Sequence, residues 1–217
     1  MSYDYSASLN PNKALIFRIV HKDNIPWILK NGLHCGNDVN QSPHWVHIGN
    51  PELIEKRARH PVPAGVGGVL NDYVPFYFTP FSPMMANIHS GRSVKQRPNA
   101  EIVILVSNLY RVRQLNLNYI FSNNHAYYNW ANFYTDLKDL DKIDWKILQA
   151  RDFKRDPNDP AKFERYQAEA LVHRHCPVSA LEGIVCYTDS VKSQIETWLI
   201  QHNIQLPVHA RSGWYFS

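Results

Sequence analysis

Two short apolar runs constrain this chain most: Ala14-Leu15-Ile16-Phe17-Arg18-Ile19-Val20 and Glu101-Ile102-Val103-Ile104-Leu105-Val106, each the length of a buried strand. The residues after the first run are helical in pattern. Asp23-Asn24-Ile25-Pro26 reads as a helix start, with Asp23 or Asn24 as cap and Pro26 in the first turn. Trp27-Ile28-Leu29-Lys30 continues that helix to a stop at Asn31-Gly32. Asn50-Pro51-Glu52 opens a second short helix carrying Leu53, Ile54, Arg57 and Arg59. The Pro/Gly-rich residues 61–68 are a loop. Tyr73-Val74-Pro75-Phe76-Tyr77-Phe78 reads as a strand whose proline puts it at an edge or a bulge. Ser82-Pro83-Met84 starts another short helix, and residues 120–159 mix polar, aromatic and charged side chains around helices. Residues 167–173 and 183–187 are further strand candidates, 190–201 an amphipathic helix, and Trp214-Tyr215-Phe216 closes the chain. Strands and helices do not alternate strictly, so the expected class is α+β. With no repeat and no low-complexity linker, residues 1–217 are expected to form one domain.

A chain of 217 residues is long enough to bury a substantial core, and 44% hydrophobic with 19% charged residues is a globular balance. The 6 Trp, 12 Tyr and 9 Phe fill that core but also offer flat faces for nucleobases or nicotinamide. A net charge of +4 permits a polyanionic partner without requiring one. Cys35, Cys176 and Cys186 make no CxxC pair, so neither a disulfide framework nor a zinc site is indicated. No signal-peptide pattern and no membrane-length apolar stretch are present, which points to the cytoplasm.

The familiar phosphate, dinucleotide, zinc-protease and serine-hydrolase motifs are missing. The 11 histidines are scattered, and His173-Arg174-His175 sets a cation between two imidazoles, so no metal is expected. Three charges in otherwise apolar or turn-bounded segments remain: Arg18, Arg57 and Glu169, the last directly before Ala170-Leu171-Val172. A carboxylate on a buried strand is costly unless paired. It is either half of a structural Glu–Arg ion pair or a carboxylate aimed into a cleft where positive charge develops during a reaction.

At the level of ordered motifs, the chain resembles the DarT family, the toxins of DarTG toxin–antitoxin systems, and within it the DarT proteins of enteric bacteria. The resemblance is carried by Arg18-Ile19-Val20-His21 with Asp23-Asn24-Ile25-Pro26, then Gly32-Leu33, Ile48-Gly49 with Arg57, and Gly67-Gly68. It continues through Asp72-Tyr73-Val74-Pro75-Phe76-Tyr77-Phe78, Ser82-Pro83-Met84, Ile143-Asp144-Trp145 and Gln167-Ala168-Glu169. The resemblance implies an ADP-ribosyltransferase fold, a split β-sheet with NAD in its central cleft. It also implies transfer of ADP-ribose from NAD, the co-substrate, onto a base of single-stranded DNA, with nicotinamide released and replication blocked.

The family's invariant glutamate falls on Glu169 and its catalytic arginine on Arg57, which would position NAD and assist acceptor deprotonation. A charged guanidinium is a poor base, so clamping phosphate is the physically easier role. The nicotinamide-gripping strand falls on Arg18, Ile19 and Val20; many members carry histidine at the first of these. Trp27 and Cys35 occupy positions that line the NAD site, and residues 38–56 would cover it. Residues 119–169 match the substrate-reading loop, and Tyr77, Met84, His125 and Arg59 the DNA-facing set. Arg151, Lys154 and Arg155 are expected to meet phosphates or to form a solvated charged loop. Thymidine is the favoured acceptor. The competing readings are a guanine-directed enzyme, a protein- or RNA-directed transferase, and a nucleic-acid-binding module with a structural Glu169–Arg57 pair. A macrodomain antitoxin of the DarG kind is the implied partner.

Overall fold

The computed structural model describes residues 3–217; the first two lie outside it. In chain order the elements are β1 (Leu15–His21), α1 (Ile25–Asn31), β2 (Leu33–His34), α2 (Pro51–Arg57), β3 (Tyr73–Tyr77), α3 (Pro83–Ser90) and β4 (Ile102–Asn108). Then come α4 (Leu109–Gln114), β5 (Tyr119–Ser122), β6 (Phe133–Tyr134), α5 (Trp145–Gln149), α6 (Lys162–Arg165) and β7 (Glu169–His173). The last are β8 (His175–Cys176), β9 (Leu181–Cys186), α7 (Asp189–Gln201) and β10 (Val208–Ala210).

Eight strands form one sheet in the order β10-β9-β4-β1-β3-β7-β5-β6, and β2 pairs with β8 separately. The fold is α+β, as expected. β1 and β4 pair along their whole length, from Leu15↔Asn108 to His21↔Ile102. Between β1 and β3 the only registered pair among the described residues is Phe17↔Tyr77, so beyond it the sheet splits. On the far side β3 pairs fully with β7, ending at Tyr77↔Glu169.

Pro75 is the residue from which the sequence put this strand at an edge or a bulge, yet β3 is an interior strand. The physical reason for an edge nonetheless holds locally. The Pro75 carbonyl faces the split, where it accepts a hydrogen bond from Arg18 Nη1 at 2.8 Å. A residue that lacks an N–H therefore sits where no ladder partner demands one.

Local signals set the helix ends. The Asn50 side chain accepts from the N–H groups of Glu52 and Leu53 at the start of α2, and Ser82 caps α3 through Met85 N. Gly32, at φ +78°, ends α1; a Cβ there would collide with His175 Nε2. Two expectations need correction. Asn24 precedes α1, but its side chain makes no cap and instead holds a distant loop. Arg59 is not on α2, which ends at Arg57. The stretch 120–159 contains α5 but also strands β5 and β6, whose polar and aromatic mixture hid them. The main core runs from Leu9 to Tyr215 and includes Phe17, Phe76, Phe78 and Ile104. Cys35, Cys176 and Cys186 are buried and free. Among the described residues no helix is long and apolar enough to cross a membrane.

Candidate active site

Where β1 and β3 part, a cavity opens. Arg18, Ile19 and Val20 line one wall, Tyr73, Pro75 and Tyr77 another, and Arg57, Met84, His125 and Glu169 its floor and far side. The segment from Gly36 to Asn50 contributes the remaining wall through Gln41, Trp45 and Ile48. That segment is fastened at several points. The buried Asn24 amide donates to Val46 O at 2.9 Å and accepts from Val46 N at 2.8 Å. Gln41 Nε2 donates to Cys35 O at 2.7 Å, and Trp45 meets the Trp27 ring edge-on, centroids 5.7 Å apart.

Glu169 begins β7 between β3 and β5 and is only 2% exposed. Arg57, the last residue of α2, meets it as a fork: Nη1 donates to Oε1 at 3.1 Å and Nη2 lies 3.0 Å from Oε2. The second contact is off the hydrogen-bonding direction, so Nη2 keeps unused donor capacity in a buried position. Oε1 also accepts from the N–H of Ala126 at 3.0 Å. Burial alone would push the Glu169 carboxyl up; the Arg57 charge, His125 and the hydrogen bonds from Arg57 and Ala126 outweigh it and hold the carboxyl below its ordinary value. It is an anion at neutral pH.

His125 places Nδ1 3.4 Å from Glu169 Oε1 and accepts there from the N–H of Tyr127 at 3.2 Å. Burial, with the Arg57 charge, lowers its pKa against the pull of Glu169, so the ring is neutral at neutral pH. Arg18 is drawn down to about 10 by burial and by the neighbouring Arg57, which still leaves it a cation. Its Nε is buried and, among the described residues, has no partner. Burial and the Glu169 charge raise the Tyr77 phenol, which stays protonated.

The cavity thus brings together Arg18, Ile19, Val20, Arg57, Tyr77, Met84, His125 and Glu169. It does not gather the rest. Trp27, on α1, and the buried Cys35, just past β2, stand one layer behind, where the Trp27 ring meets Trp45 and the Cys35 carbonyl holds Gln41. Arg59 is exposed and paired with Glu55 at 3.1 Å. Arg151 is not free on a loop: its guanidinium lies over the rings of Phe81 at 4.3 Å, Phe216 at 4.4 Å and Tyr3 at 5.0 Å. Arg155 lies over Phe163 at 5.0 Å, and Lys154 is exposed. No sequence signal pointed to the Ala126 N–H, a backbone group, or to Asn24 as a loop clamp. Trp45 is, in sequence, one ring among many.

Comparison with known proteins adds three findings. The family model "ssDNA thymidine ADP-ribosyltransferase, DarT" matches residues 17–216. A DNA ADP-ribosyl transferase of Escherichia coli O127:H6 is 68% identical over the full length of both chains. Among solved structures, Thermus sp. 2.9 DarT in complex with ADP-ribosylated ssDNA superposes with a TM-score of 0.87 at 33% identity, covering all of both chains. The same protein in complex with NAD+ gives 0.83 at 33% identity over 95% of this chain and 99% of that one.

Proposed function

The chain belongs to the DarT family of DNA ADP-ribosyltransferases, and from that premise we propose that the cavity in the split sheet binds NAD and delivers its ADP-ribose to a thymine of single-stranded DNA. The observation that carries this reading is the Glu169–Arg57 fork, buried yet exposed to the cavity on one side. A purely structural ion pair has no need of a cavity lined by a second cation, Arg18, which among the described residues bonds the Pro75 carbonyl and leaves its Nε unpartnered.

Two guanidiniums against one carboxylate leave the wall with net positive charge, suited to the NAD diphosphate. As the bond from nicotinamide nitrogen to ribose C1′ breaks, its electron pair leaves with nicotinamide and the sugar becomes oxocarbenium-like. Glu169 Oε2, which among the described residues holds only the Nη2 contact, accepts from a ribose hydroxyl and faces that charge. The interaction strengthens toward the transition state, which is what accelerates the step. The thymine ring nitrogen then bonds to C1′ as its proton passes to water. His125, neutral and in the cavity lining, donates a ring N–H to a carbonyl oxygen of the acceptor base; Tyr77 and Met84 pack against that base. A base must leave its stack to enter such a cavity, which favours single strands.

Arg59, Lys154 and Arg155 meet DNA phosphates, while Arg151 is a structural residue. A macrodomain antitoxin that removes the modification is the partner this activity calls for, and the cytoplasm is where NAD and DNA meet. The test incubates the protein with labelled NAD and single-stranded oligonucleotides, or with protein acceptors, followed by mass spectrometry of the nucleosides. ADP-ribosyl-thymidine is expected; the guanosine adduct, or label on protein only, overturns the reading. Glu169→Gln should lose transfer by about 100–1,000-fold while remaining folded.

A further inference from the structure

One group of rings lies outside the cavity and outside the core. Trp130 is 60% exposed, whereas the other tryptophans are buried or half-buried. It lies flat on Tyr128, centroids 4.7 Å apart and planes 10° from parallel. Tyr128 meets His125 edge-on at 5.5 Å, and His125 touches Glu169. A ladder of rings therefore runs from the buried carboxylate to solvent. The loop that carries it is fixed by its own backbone: Asn123 N donates to Asn132 O, Asn132 N to Asn123 Oδ1, Tyr128 N to His125 O and Ala131 N to Tyr128 O. The outermost ring is thus held open to solvent on a preorganised loop.

Charge borders the same rings. Tyr127 packs on His60 at 4.9 Å, and His60 stands just past α2, whose last turn carries Lys56 and Arg57 and is followed by Arg59. A flat uncharged face beside Lys56 and Arg59, exposed cations whose surface pairs with Glu52 and Glu55 are weak enough to be exchanged for phosphate, fits an aromatic base on an anionic backbone. We propose that the Tyr128–Trp130 pair is a stacking platform for a base of single-stranded DNA that flanks the base entering the cavity. It fixes the position of the strand relative to Glu169, and since every base has a π-face it reads the presence of a neighbour more than its identity. The proposal rests on the transferase reading of the cavity.

The test measures anisotropy of a labelled oligonucleotide with one acceptor thymidine, bound without NAD, with an abasic residue placed in turn at each flanking position. With the wild-type chain, one abasic position should weaken binding about tenfold, the contribution of one stacked base. Trp130→Ala should weaken the intact oligonucleotide about equally and show no further loss at that abasic position; Trp130→Phe should keep most of the affinity. Trp130 is largely exposed, so these variants leave the core intact. Wild-type affinity in Trp130→Ala, or losses from variant and abasic position that multiply, overturns the platform. If the oligonucleotide shows the expected coupling but is never modified when NAD is added, the transferase reading falls and the platform stands. If it is modified but shows no coupling, the platform alone falls.

Discussion

Glu169 shows how one residue serves stability and chemistry with the same charge. Its pair with Arg57 is buried, and removing one partner of such a pair commonly costs about 3–5 kcal/mol. Glu169→Ala therefore confounds folding with catalysis, and the isosteric Gln is the informative change. The titration has a definite sign. The folded carboxyl is held below its ordinary 4.5, because Arg57, His125 and the hydrogen bonds to Glu169 outweigh the burial that would raise it. The unfolded chain consequently takes up the proton first. The stabilisation is fully present above pH 4.5 and disappears as pH falls through the folded value. Urea unfolding of wild type and Glu169→Gln should show a stability difference that is constant from pH 7 to about 5 and shifts against the wild type below that. A difference independent of pH down to about 3 would mean that the folded carboxyl is not held below its ordinary value.

At the scale of elements, the loop over the cavity depends on the start of α1 although the two are distant in sequence. Both polar atoms of the Asn24 amide are engaged by Val46. Asn24→Ala leaves the half-buried N–H and C=O of Val46 without their partner, which costs about 1–3 kcal/mol, and frees a segment that contributes Trp45 and Gln41 to the cavity wall. The KM for NAD should rise several-fold, with a smaller change in kcat. Steady-state kinetics check this, and a variant with an unaltered KM would show that the loop plays no part in binding the nucleotide. Asn24 reads as a helix cap in the sequence because Asn before Ile-Pro is a usual N-terminus. Its backbone is already helical, φ −80° and ψ −15°, and so the side chain is directed elsewhere.

For the whole molecule, Arg151 joins the two ends of the chain. Its guanidinium rests on Tyr3 near the start, Phe216 near the end and Phe81 between β3 and α3. Arg151→Ala should lower stability by about 1–3 kcal/mol, a fall in Tm of roughly 3–10 °C by calorimetry, and leave the salt dependence of DNA binding alone. Lys154→Ala should do the reverse: an unchanged Tm, with the slope of log affinity against log salt reduced by about one. If Arg151→Ala lowers the slope instead, it is a phosphate ligand after all.

The sequence by itself determined the elements whose signals are local. The apolar runs of β1 and β4, the caps Asn50 and Ser82, and the stop at Gly32 depend on neighbours in the chain, and they were legible. Charges standing in otherwise apolar or turn-bounded segments also marked Arg18, Arg57 and Glu169 as the residues to watch. Tertiary structure alone decided that Arg57 and Glu169, 112 residues apart, meet as a fork, that Pro75 faces a split inside the sheet rather than an outer edge, and that Arg151 is enclosed by rings. Those outcomes depend on strand order and register, which are fixed by which faces must be buried together. No window of neighbouring residues contains that information.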